Sequence, residues 1–166
     1  MFPESLAGLT VQILEACRKR GILLATAESC TGGLIAACLT NVPGSSEVVD
    51  RGFVTYSNDA KMDMLGVPAG MIAQYGAVSA EVASAMAAGA LAASQARIAV
   101  AATGVAGPGG GTPDKPVGLV FIGIAATGRP AVAHRHQLPG DRQAVRLATV
   151  DRSLRHLMAA IDQDAD

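Results

Sequence analysis

Apolar side chains at Leu6, Leu9, Ile13, Leu14 and Cys17 recur at helical spacing and predict a first helix that stops at Gly21. The run 22–27 is almost continuously apolar and ends at Glu28 and Ser29, which predicts a strand covered on both faces, as in a helix-flanked parallel sheet. Thr31, Gly32 and Gly33 then open a second helix over 34–39, closed by a turn at 41–45. A second strand is expected over 48–56. Ser57 or Asn58 caps a short helix carrying Lys61, Met62 and Leu65, and a further turn of helix covers 68–75. Ser79 caps an alanine-rich helix running from Ala80 to about Gln95. Residues 98–102 repeat the buried-strand signature and enter a glycine- and proline-rich loop, 103–116. Runs 117–126 and 131–137 read as an antiparallel hairpin across Thr127-Gly128-Arg129-Pro130. Asp141 caps a last amphipathic helix with Val145, Ala148, Leu154, Leu157, Met158 and Ile161, and the acidic end 162–166 is expected to fray. Helices alternating with strands, plus one hairpin, predict an α/β fold: a three-layer α/β/α sandwich with a mixed, mostly parallel sheet, one domain over 1–166.

Composition narrows the function classes. A chain of 166 residues that is 50% hydrophobic and 16% charged can bury a full core and is no disordered tail. Thirteen basic against fourteen acidic residues leave a net charge of -1, so no long-range field draws nucleic acid or an anionic membrane. With no Trp and 3% aromatics, base-stacking platforms are lacking as well. Cys17, Cys30 and Cys38 have no C-x-x-C spacing and read as free thiols in a reducing compartment. No basic-then-apolar leader follows Met1, and no apolar run approaches the roughly 18 residues of a membrane span. The expectation is a cytoplasmic protein without a nucleic-acid or membrane partner.

In open α/β sheets ligands gather beyond the carboxyl ends of the strands, where this chain places its polar segments if the first three strands lie parallel and adjacent. Ser29 sits between a buried strand and a helix opened by two glycines, the logic of a nucleophile corner without the G-x-S-x-G pattern. It equally suits a serine that only caps the helix. Of the histidines, His134 and His136 alternate on one strand face and His156 lies in the last helix, so none is placed as its base. Lys61 is the next candidate: near a helix start and partly buried, its amine would lose its proton easily, though a solvated surface lysine is the plain alternative. Tyr56 could relay between the two. The loop after Thr103 matches neither a Walker A nor G-x-G-x-x-G, and its glycines allow close ligand approach or a mobile lid. Arg142 and Arg146, one helical turn apart at a helix start, suit a phosphate or a solvated arginine face. No H-E-x-x-H or carboxylate–histidine cluster calls for a metal, and no cofactor is expected.

The stretches LATAESCTGG, VPGSS, RGFVTYSNDAK, LGVP, YGAVS and TGVAGPGGGTPDKPVG, in this order, strongly resemble the carboxy-terminal domain of the competence/damage-inducible CinA family. The resemblance runs from about Ile22 to Ile124, with a weaker echo around Gly140 to Arg146. It implies a stand-alone form of that domain, a three-layer α/β/α sandwich and a homodimer or larger homo-oligomer. The implied activity is an amidase converting nicotinamide mononucleotide, a small-molecule nucleotide substrate, to nicotinic acid mononucleotide and ammonia. Carried across by motif, the implied catalytic residues are Ser29, Lys61 and Tyr56. Thr103, Gly104 and Arg142 match ligand-binding positions, and the backbone N–H groups of Cys30, Thr31, Gly32 and Gly33 would hold an oxyanion. The competing expectation from another class is a non-catalytic nucleotide-binding or regulatory module, in which the loop and arginines hold a phosphate and Ser29 only caps; a serine amidase for another small amide is a third.

Overall fold

The structure is a computed structural model and describes residues 2–164. Helix α1 (Glu4–Arg20) ends where Gly21 turns left-handed, and strand β1 (Leu24–Glu28) follows. Helix α2 (Leu34–Thr40), a 3-10 turn (Ser45–Glu47) and β2 (Val49–Val54) come next. Helices α3 (Asn58–Leu65), α4 (Ala69–Tyr75) and α5 (Ala80–Ala92) lead to β3 (Ile98–Gly104). Strands β4 (Leu119–Ala126) and β5 (Val132–Gln137) precede the long helix α6 (Arg142–Gln163).

The sheet order is β2-β1-β3-β4-β5, with β1 parallel to both its neighbours and β4 antiparallel to β3 and β5. Only β4 runs against the others, which is the mixed, mostly parallel sheet the pattern predicts. Both faces of β1 and β3 are buried, as their unbroken apolar runs require. Alternate residues feed two cores. Leu24, Ile98, Val100 and Ile122 pack under α1, α2 and α6, whereas Ala25, Ala27, Ala99 and Ala101 pack under α5. Small side chains on the second face let α5 lie almost on the sheet.

Two expectations change. The last helix does not fray at Asp162: it continues to Gln163, and Asp164 pairs with Arg97 at 2.8 Å and Arg129 at 3.6 Å. Residues 165–166 of the expected frayed end lie outside the described residues. The glycine-rich loop is tied rather than free. Arg142 donates to Gly107 O at 2.9 Å, and Lys115 Nζ donates to the Tyr75 carbonyl. A Cβ at Gly107 would lie 2.6 Å from Val117 Cγ1, so this glycine makes room for the loop's own chain. Among the described residues no helix is long and apolar enough to cross a membrane.

Candidate active site

Because β2, β1 and β3 are parallel and adjacent, the segments after them meet at one end of the sheet. Ser29 follows β1 directly, its N–H donating to Ala102 O of β3 at 2.9 Å. Ser57, not Asn58, caps α3: its Oγ accepts from the Ala60 N–H at 3.0 Å, which sets Lys61 one turn into the helix. Lys61 turns back under the sheet end and is 1% exposed. Its Nζ donates to Ser29 Oγ at 3.0 Å, to Thr55 O at 2.9 Å and to Ser57 O at 3.5 Å. Burial pushes its ammonium below the ordinary lysine value. A serine hydroxyl and a desolvated amine 32 residues apart in sequence thus share one hydrogen bond.

The remaining expected residues are placed differently. Tyr56 is exposed and its hydroxyl accepts from Arg142 Nη2 at 2.8 Å, and among the described residues it has no hydrogen bond to Ser29 or Lys61. It straps the end of β2 to the start of α6. Thr103 is buried and its hydroxyl donates to Ala77 O at 2.9 Å, so that donor is taken up inside the protein. Gly104 ends β3 against β4, where a Cβ would meet Leu119 O at 2.8 Å: strand pairing explains the glycine. Gly32 N–H donates to Ser29 O, and Gly33 N–H to a Glu28 carboxylate oxygen, which removes both from an oxyanion site. The N–H groups of Cys30 and Thr31 donate to no backbone carbonyl among the described residues, and both residues are buried. Burial pushes the Cys30 thiol up to about 12, which leaves it protonated beside the serine.

Arg146, offered as a phosphate ligand beside Arg142, instead donates to the carbonyls of Cys30 at 3.2 Å and Thr31 at 2.9 Å. It also lines a cavity of about 830 Å³, together with Leu34, Ala106, Pro108 and Arg142. Arg146 therefore joins the Ser29 corner to a cavity large enough for a nucleotide-sized molecule. The histidines take no part: His136 and His156 bond to each other, and His134 stacks on His156.

The family model of the CinA C-terminal domain matches residues 6–161. The chain belongs to this family. A curated relative in Enterobacter agglomerans, nicotinamide-nucleotide amidohydrolase PncC, is 47% identical over 93% of the chain and 94% of its own length. A putative competence-damage inducible protein of Clostridium acetobutylicum is 50% identical over 80% of the chain, which spans only 32% of that longer protein. Among solved structures, the competence/damage inducible protein CihA of Agrobacterium tumefaciens superposes with a TM-score of 0.94 at 49% identity, covering 96% of this chain and 97% of its own.

Two residues of this CinA domain escape sequence reading. Glu28 is fully buried and accepts from the N–H groups of Gly33, Ile35 and Ala36. The only sign of it in sequence is a carboxylate at the last position of a buried run, before two glycines. Thr55, whose carbonyl holds Lys61, carries no sign at all, because a backbone acceptor is independent of residue type.

Proposed function

We propose that the chain is an amidase that hydrolyses the carboxamide of nicotinamide mononucleotide, with Ser29 as nucleophile and Lys61 as its base. The observation that carries this is the 3.0 Å contact between the Ser29 hydroxyl and a buried Lys61 amine. The reaction and substrate follow the name of the Enterobacter agglomerans relative. A neutral Lys61 has two N–H groups for the carbonyls of Thr55 and Ser57, which leaves its lone pair facing the Ser29 hydroxyl. As Ser29 Oγ attacks the carboxamide carbon, its proton passes to Lys61 Nζ. The N–H groups of Cys30 and Thr31 are the donors for the oxyanion. Lys61 then returns the proton to the departing nitrogen, the C–N bond breaks and ammonia leaves. Water, deprotonated by Lys61, attacks the ester; the C–O bond breaks, Ser29 recovers its proton and the acid product is released. Base and oxyanion donors are each expected to contribute about 10²- to 10³-fold. Arg142, held by Tyr56 and Gly107 at the cavity wall, is the proposed contact for the nucleotide phosphate.

The test is ammonia release from nicotinamide mononucleotide by the purified protein and by Ser29→Ala. The expected result is turnover by the wild type, none by the variant, and nucleotide affinity changed by less than about threefold. Equal rates from both would remove Ser29 as nucleophile. Binding by the wild type without turnover would favour the regulatory module, and neither binding nor turnover would point to a different amide.

A further inference from the structure

Glu28 is the fully buried carboxylate that the proposed chemistry does not use. It ends β1 immediately before the nucleophile. Its Oε2 accepts from the N–H groups of Gly33 and Ile35 at 3.1 and 3.0 Å, and its Oε1 from Ala36 at 2.8 Å. A helix start ordinarily receives its cap from the residue at the cap position. Here that residue is Gly33, with φ +98° and no side chain, and the cap arrives instead from the far end of the preceding strand. The carboxylate therefore spans the whole Ser29–Cys30–Thr31–Gly32–Gly33 turn and fixes the distance between the end of β1 and the start of α2.

The backbone of the same residue reaches the other half of the pair. Glu28 O accepts the Thr55 N–H at 2.9 Å, and Thr55 O accepts Lys61 Nζ at 2.9 Å. Ser29 and Lys61 are thus both held from residue 28, one through its side chain and the next peptide, one through its carbonyl. Arg146 completes the frame by drawing the Cys30 and Thr31 carbonyls toward α6. The carboxylate also fills the electropositive start of α2 with the protein's own anion.

We infer that Glu28 is a positioning residue: it holds the Ser29 turn in its reactive geometry. The inference rests on the Ser29–Lys61 reading above, so its test includes a readout that does not depend on the natural substrate. Wild type, Glu28→Gln and Glu28→Asp are compared in turnover of nicotinamide mononucleotide and in labelling by a fluorophosphonate. In that labelling Ser29 Oγ attacks phosphorus, fluoride leaves and Lys61 takes the proton. Glutamine keeps the shape but sets an NH₂ group against helix N–H donors. Its expected effect is a loss of about 10- to 100-fold in kcat and an equal slowing of labelling, with KM within about threefold. The pH midpoint of labelling, which belongs to Lys61, should not move. Aspartate keeps the charge on a shorter stem and should recover only part of the rate.

Wild-type kcat and labelling in Glu28→Gln would overturn the inference. So would a loss shared between kcat, KM and the pH midpoint, which marks a general loosening of the fold. Should Glu28→Gln fail to fold, a folded Glu28→Asp with full rates overturns it and one with reduced kcat at constant KM supports it. A wild type that is labelled but does not release ammonia sinks the substrate and leaves Glu28 judged by labelling. A wild type that does neither removes the pair and Glu28 with it.

Discussion

Lys61 is a buried amine whose placement beside the Ser29 hydroxyl is costly to the fold. It is 1% exposed, and its amine meets a hydroxyl and two carbonyls, with no ion pair to a carboxylate among the described residues. Burial therefore favours the neutral amine and moves its titration below the ordinary lysine value of 10.5. As pH rises the neutral fraction grows, so kcat/KM should climb on an acid limb whose midpoint lies below that value. Lys61→Arg, which stays protonated, should cost about 10²- to 10³-fold at every pH and abolish the limb; a surviving limb in the kcat/KM profile would assign it to another group. At this scale the family resemblance singled out Ser29 and Lys61 together, and the structure brings the two side chains to 3.0 Å. The sequence was silent on which neighbours the other hydroxyls meet. The Thr103 hydroxyl donates to Ala77 O, and the Tyr56 hydroxyl accepts from Arg142 rather than meeting the serine. Glu28 stayed hidden because its three partners are backbone groups beyond a turn whose path only the fold defines.

The elements were legible where periodicity and caps agree, as at Ser79, whose Oγ accepts from Val82 N, and at Asp141, whose carboxylate accepts from Ala144 N. How closely they pack was not legible, because a glycine or alanine in a strand carries no record of what lies above it. Gly123 of β4 has an ordinary φ, yet a Cβ there would fall 2.1 Å from Ala83 O of α5. Helix and sheet are in contact with nothing between them. Gly8, in the exposed part of α1, has nothing within 4 Å. The same substitution should therefore act in opposite directions. Gly123→Ala forces α5 off the sheet and should cost about 2 kcal/mol or more. Gly8→Ala reduces the freedom of the unfolded chain in an open helical position and should add about 0.5–1 kcal/mol. Urea unfolding of the two variants reads both signs, and a harmless Gly123→Ala would mean that α5 can shift without loss.

Across the whole molecule, topology converts distant residues into neighbours twice. The three parallel strands bring Ser29, Lys61 and Thr103 to one end of the sheet, and that much follows from an alternation of helices and strands. The antiparallel return through β4 brings β5 to α6 and joins His134 and His136, which the sequence put on one strand face, to His156 of the last helix. His136 Nε2 and His156 Nε2 are 2.8 Å apart, and the rings of His134 and His156 stack with centroids 3.9 Å apart. Burial, and then the positive charge that His134, His136 and Arg152 would bring, push His156 down to about 4. His136 is lowered for the same leading reason. An unfolded histidine takes its proton near 6.5, so between that pH and about 4 the unfolded chain binds more protons than the native one. Stability from this cluster is complete above pH 6.5 and drains away as pH falls toward 4. Allowing for solvent screening at a half-buried site, the loss should be on the order of 1–2 kcal/mol. Unfolding free energies measured from pH 7.5 to 4.5 should fall, and His156→Gln, which cannot titrate, should flatten that slope relative to wild type. The slope belongs to the histidines that β5 and α6 bring together, which His156→Gln isolates from the other titrating groups. An unchanged slope in His156→Gln would show that the imidazoles part and hydrate before they take up protons.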